Sequence, residues 1–235
     1  MAAQRDAFLR ALRGANTVEL SHQYSRITRG FMPKSQREAL LEAGVRMVHA
    51  RGLAATGVRE IATAARAPQG SFTNHFRSKE AFGRLVLDRY AERIDALMRA
   101  TLGDETRAPA ERLMAYFDRI AESAAKTRWR QGCMVADLAG EIAFHDDALR
   151  ERLIAVLARQ SAELEKVVRL IRPSEQSAAD LGPFLLAAWH GTLLRMKVER
   201  NGSALDRFRR MLGLLLDPAL EPVMSSSTLV PRGAY

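Results

Sequence analysis

Between Val58 and Phe76 the sequence "VREIATAARAPQGSFTNHF" carries two short helical patterns joined by a turn of two or three residues. A connection that short obliges the second helix to pack across the first. Val58, Ile61, Ala62 and Ala65 share one face of the first segment. Pro68 suits the first turn of the second, where Phe72 and Phe76, four residues apart, share a face. These rings are expected to pack on Val58, Ile61 and the apolar stripe of a preceding helix. The rest of the segment offers Gln69, Gly70, Ser71, Thr73 and Asn74, poor formers of a helix interior. Short side chains let a helix sit deep in the major groove of duplex DNA, its N-terminus toward the phosphates.

The charge is distributed to match. The net charge is +9, yet residues 91–235 hold twenty-one Lys and Arg against twenty Asp and Glu. Residues 34–90 hold ten against five, and residues 1–33 hold five Arg against Asp6 and Glu19. A basic excess confined to one part of a chain is the electrostatic footprint of a polyanion partner.

Strand patterns are nearly absent, so the expected fold class is all-α. Ser35-x-x-Glu38 is a capping box ahead of a helix with Leu40, Leu41, Gly44, Val45 and Val48 on one stripe, which Gly52 ends. Further helices are expected from Lys79 toward Gly103, from Pro109 toward Arg128, and across "GCMVADLAGEIAF". A long one follows over "DDALRERLIAVLARQSAELEKVVRLI", then a segment containing Pro183 and a last one over "SALDRFRRMLGLLL". The organisation read from this is an N-terminal extension (1–33), a DNA-binding domain (34–94), a larger helical domain (95–217) and a tail (218–235). The extension, with a short helical pattern at Asp6–Arg13, and the tail are expected to be disordered. Met32 is an alternative start, and "LVPRG" in the tail resembles a thrombin-cleavage linker. No segment has the length and apolarity of a membrane helix. No secretory signal is read, and the single cysteine fits a reducing cytoplasm.

"TGVREIATAARAPQGSFTNHFRSKEAFGRLVL" resembles the DNA-binding domain of the tetracycline-repressor (TetR) family. The shared features are a Thr-x-Val-x-x-Ile-Ala helix, a Gly-Ser-aromatic-x-x-His-Phe recognition helix, and a Lys-Glu start to the next helix. The resemblance is close over residues 34–90 and rests on helix succession beyond them. It implies a dimeric, all-helical repressor that leaves a palindromic DNA operator when a small molecule binds the C-terminal domain. It also implies DNA roles: Arg59 at the groove or its phosphates, Gln69, Gly70 and Ser71 at base edges, His75 and Lys79 on phosphates. Asn74 shares the groove face. Thr73 stands where the family usually has Tyr, so it either makes a weaker backbone contact or reads a thymine methyl.

No catalytic spacing, metal-ligand cluster or nucleotide fingerprint is present, and neither enzyme activity, metal nor cofactor is expected. In the C-terminal domain Phe117, Trp129, Met134, Phe144 and Met196 are candidates for an effector pocket. Leu186, Trp189, Leu193 and Leu194 are candidates for contacts in a homodimer bundle. Cys133 follows Gly132 at a helix start, with Arg128 and Arg130 upstream, and Lys197 is a further candidate cation. A helix N-terminus and nearby cations lower a thiol's pKa. The "GC" ahead of an apolar helix containing Glu141 resembles TetR-family regulators that sense electrophiles, so an electrophile is an alternative effector. The competing reading is a helical small-molecule-binding or enzymatic protein without operator binding.

Overall fold

Ser35 starts the first helix, α1 (Gln36–Arg51), by accepting the Glu38 N–H at 3.2 Å. Gly52 stops it with a left-handed φ of 87° and an N–H donated to Val48 O. The computed structural model describes residues 35–142, 144–173 and 175–217. The expectations for residues 1–33 and for the 218–235 tail lie outside them.

After α1 come α2 (Val58–Ala64), α3 (Ser71–His75) and α4 (Lys79–Thr101), then α5 (Pro109–Lys126) and α6 (Met134–Ile142). The chain continues through α7 (Asp147–Ile171), α8 (Glu175–Glu199) and α9 (Ser203–Leu215). Every regular element among the described residues is helical. Pro109 stands in the first turn of α5. Pro183 lies well inside α8, where the preceding Gly182 sits against the Ser161 carbonyl of α7.

Two hydrophobic clusters form, and the same two helices run through both. The first joins α1, α2 and α3 to the N-terminal half of α4, to Met134, Val135 and Leu138 of α6, and to Leu149, Leu153 and Val156 of α7. The second joins the end of α4 to α5, α8, α9 and the C-terminal half of α7. Ile94, Leu157 and Cys133 touch both. Arg152 pairs with Asp88 and Arg159 with Asp95 at 3.1 Å, the same offset of 64 residues each time. That constant offset means α4 and α7 run parallel. The expected domain limit near residue 94 thus falls within a continuous helix.

Two expectations for the C-terminal helices change. Leu186, Trp189 and Leu193 are only 1–4% exposed and belong to this chain's own core, whereas Leu194 is 58% exposed. Phe144, a pocket candidate, is 96% exposed in the α6–α7 connection. This connection turns the ring away from both hydrophobic clusters, whereas Leu102 and Leu216, also next to helix ends, are turned in.

Candidate nucleic-acid interface

The recognition unit is built on a cluster of phenylalanines. Phe72 and Phe76 are buried and their ring centroids lie 5.1 Å apart. Both meet Phe82 of α4, at 4.9 and 4.7 Å. Ile61 completes the cluster, and the Arg37 guanidinium lies over the Phe76 ring at 5.5 Å. Aromatic edges packed in this way hold α3 rigidly despite its length of five residues. Phe82 is the partner that helical spacing alone does not reveal.

Between α2 and α3, Arg66 takes a left-handed φ of 55°, and the Ala67 N–H donates to Ala62 O at 2.9 Å. Gln69 and Gly70 form the turn ahead of α3, with the Ser71 N–H donating to Pro68 O. The helix therefore starts three residues later than Pro68 suggests. Gln69, Gly70, Thr73, Asn74 and His75 are all exposed. Ser71 is not: at 5% exposure it faces inward beside Phe72, which removes it from the expected base-reading set. Its position one residue before a core phenylalanine puts it on the buried arc of so short a helix. Nothing within 4 Å would meet a Cβ at Gly70, so that approach is open. The Thr73 hydroxyl donates to Gly70 O at 2.9 Å, which leaves its methyl group as the part with no bond to make.

Cations flank this face. Arg59 and Arg77 are exposed and make no side-chain bond among the described residues. Lys79, at the first position of α4 beyond the Ser78 cap, donates to Ala54 O at 2.9 Å. It thereby ties the α1–α2 connection to the start of α4 while remaining at the surface. Arg51 pairs with Glu60 at 2.6 Å, and Glu60 also accepts the Gly57 N–H that opens α2.

The recognition unit is bonded to α6. His49 of α1 meets Gly132 O through Nε2 at 2.8 Å, just before α6 begins. At the other end of α6, the Glu141 carboxylate accepts the Leu53 N–H at 2.9 Å and the Ala54 N–H. A Cβ at Gly52 would lie 2.6 Å from Glu141 Oε2, so glycine there serves both the backbone turn and this approach. Arg84 of α4 reaches Asp146, the N-cap of α7, at 2.9 Å. Residues more than 80 apart in sequence thus meet at both ends of one short helix.

Cys133 stands at the α6 start, half-buried. Burial pushes its thiol up, outweighing the Ala136 and Val135 N–H groups and the Tyr90 hydroxyl, which act the other way. The expected lowering gives way to burial, and none of the candidate cations stands against the thiol. Lys197 donates to both Asp137 oxygens at 3.0 Å, and Arg128 and Arg130 line a separate hollow. The other pocket candidates are core residues or border the core: Phe117 is 0%, Met134 0% and Met196 1% exposed, Met134 in the first cluster and the other two in the second, against which Trp129 packs. Phe117, Trp189 and Phe208 form a three-ring cluster with centroids 4.8–5.1 Å apart. Trp189 Nε1 is buried there without a hydrogen-bond partner, a feature that sequence reading missed. No group of three or more candidate metal ligands occurs among the described residues, and none of their helices is long and apolar enough to cross a membrane.

The sequence profile of the tetR family of bacterial regulatory proteins matches residues 40–83. That of the LmrA/YxaF-like transcriptional regulator C-terminal domain matches residues 109–211. The HTH-type transcriptional repressor DhaR of Mycobacterium sp. strain GP1 is 34% identical over 196 residues, covering 81% of this chain and 97% of the relative. The chain belongs to the TetR family. It is a DNA-binding transcriptional regulator. The crystal structure of regulatory protein TetR from Rhodobacter sphaeroides matches with a TM-score of 0.72 and 29% identity, over 75% of this chain and 96% of that one. The reduced form of NemR from Escherichia coli matches with a TM-score of 0.66 and 26% identity, over 77% and 97%. TetR-family regulators bind DNA operators and act as dimers, and both properties fit the exposed α3 face and the apolar surface of α8 and α9.

Proposed function

We propose that this TetR-family protein is a homodimeric repressor that holds a palindromic operator and releases it when α6 shifts. Residues 34–94 act as the DNA-reading unit, residues 95–217 as the sensing and pairing unit, and the protein works in the cytoplasm. The observation that carries the reading is the double attachment of α6 to the end of α1, through His49–Gly132 and through Glu141 with Leu53 and Ala54. Moving α6 moves the loop that Lys79 also grips, and with it the start of α4. Two recognition helices must match two half-sites about one helical turn apart, so a small rotation of each ends the match.

Gln69, Gly70, Thr73 and Asn74 read the groove; Arg59, His75 and Lys79 hold its phosphates. The effector is a small molecule received among Phe117, Trp129, Met134 and Met196. Trp189 Nε1 is a buried donor for an acceptor on that molecule, since a lone buried N–H is costly to leave unmet. Modification of Cys133 is a second trigger, supported by its place at the start of α6 beside Gly132, while burial works against it by holding the thiol up. An added group there would have to displace Tyr90 or α6.

Binding to a duplex from the protein's own promoter region, followed by fluorescence anisotropy, tests the reading. Affinity should fall steeply with salt, and sequence-specific binding should exceed non-specific binding by at least about a thousandfold. Absence of any salt-dependent DNA binding would overturn it. N-ethylmaleimide added to wild type and to Cys133→Ser decides the trigger. Release from wild type alone supports Cys133, and equal behaviour of the two proteins removes it.

A further inference from the structure

We propose that the protein binds a small organic anion at a second site, on the outer side of Trp129 and apart from Phe117, Met134 and Met196, where the α5–α6 connection meets the turn between α8 and α9. An open hollow of about 570 Å³ lies there, lined by Ala125, Arg128, Trp129, Arg130 and Arg200. That volume is within the range of ordinary ligand sites. Three of the five lining residues are arginines, and no carboxylate is among them.

What sets the three guanidinium groups apart is that they share one hollow with no carboxylate in it. Most other arginines of the C-terminal domain have a carboxylate partner, among them Arg107 with Asp104, Arg119 with Glu122, Arg195 with Glu199 and Arg209 with Asp118. Among the described residues, Arg128, Arg130 and Arg200 make no side-chain hydrogen bond or ion pair. Cations placed at helix C-termini complement the helix dipole, and this accounts for Arg128 after α5 and Arg200 after α8. It does not account for Arg130, nor for all three opening on one hollow. Like charges held together repel until an anion enters, and the planar guanidinium fork is suited to carboxylate and phosphate oxygens.

The backbone gives a second, independent indication. Four non-glycine residues among those described take a left-handed φ, and three of them line this hollow: Arg128 at 55°, Trp129 at 61° and Arg200 at 56°. Glycine or asparagine is the usual residue in such helix-ending positions, because a Cβ is strained there. Here the strain is accepted in order to present two arginines and a tryptophan, the pattern expected of a binding site.

Trp129 defines the rest of the ligand. Its ring lies against the α8–α9 turn, since a Cβ at Gly202 would be 3.7 Å from it. It therefore bridges the two connections that form the hollow and offers a flat apolar surface beside the three charges. The ligand class is a phosphate or carboxylate attached to a flat apolar body. Such binding goes beyond the DNA-release reading and is measured without DNA.

Isothermal titration of the wild-type protein with phenyl phosphate and with benzoate tests the site, with inorganic phosphate and benzyl alcohol as controls. One of the two aryl anions should bind saturably, and the tighter identifies the anionic group. Arg130→Ala/Arg200→Ala, at two exposed positions, should weaken it at least about tenfold while leaving the melting temperature unchanged. Trp189→Phe leaves Trp129 as the one tryptophan of the two in the chain, and its fluorescence should saturate over the same concentrations. The proposal is overturned if neither aryl anion binds saturably or if the double variant binds equally well. It is also overturned if the matching controls bind as tightly as the aryl anions.

Discussion

Gly44 shows what one absent side chain does for this molecule. A Cβ at that position would overlap the Phe82 ring, which itself supports Phe72 and Phe76 under the recognition helix. Gly44→Ala should therefore destabilise the fold by about 1–3 kcal/mol, the usual effect of overpacking a dense core. A thermal melt would show the loss; an unchanged melting temperature would mean that α1 and α4 are less tightly apposed. On the outer face, Lys79 and Gln69 should respond differently. Lys79→Ala should weaken binding to every duplex and reduce the salt slope by about one unit. Gln69→Ala should leave the slope intact and relax preference at one base position per half-site, as read by competition with single-base variants. Phe72 and Phe76 were legible because four-residue spacing forces a shared face. Ser71 was not, because in a five-residue helix one position of rotation separates groove from core. The direction of the Cys133 thiol is not legible for a related reason: sequence places charges nearby along the chain, whereas burial, which only the fold shows, pushes the thiol up.

At the scale of elements, the helices themselves were plain from periodicity, capping residues and prolines, since those signals are local. The attachment of α6 to α1 was not, because Glu141 meets Leu53 and Ala54 across 88 and 87 residues and no local signal encodes that. Hydrogen bonds to a charged acceptor contribute about 1.5–3 kcal/mol each. Glu141→Ala should thus loosen the Leu53–Ala54 turn and the Lys79 contact on Ala54. The expected result is operator binding weaker by about three- to tenfold without effector, equivalent to roughly 0.7–1.4 kcal/mol. The variant should also respond less to effector, since movement of α6 no longer reaches α1. Anisotropy titrations with and without effector measure both. Retention of full release in Glu141→Ala would mean that coupling runs through His49 and Gly132 alone.

At the scale of the whole molecule, the surface left over after folding is itself informative. Phe184, Ala187, Gly191, Leu194 and Val198 are exposed along α8 at intervals of three and four residues. Met211 and Leu214 continue the apolar surface on α9, at 54% and 52% exposure. This is the alternating spacing of a helix seam, and two copies would bury it in a four-helix bundle. The expectation of apolar contact in this region took three residues from the wrong face, because α8 is apolar nearly all round and periodicity alone cannot say which side meets the chain's own core. Leu194 separates the faces. Leu194→Glu places a charge in the seam without touching the monomer core, so the variant should stay folded and sediment as a monomer. Leu193→Glu, one residue along and 2% exposed, should instead lose the fold. Two linked recognition helices gain about a hundred- to ten-thousandfold over one, so monomeric Leu194→Glu should lose operator affinity on that scale with its DNA-reading residues intact. A folded Leu194→Glu dimer with wild-type operator affinity would show that the pairing surface lies elsewhere.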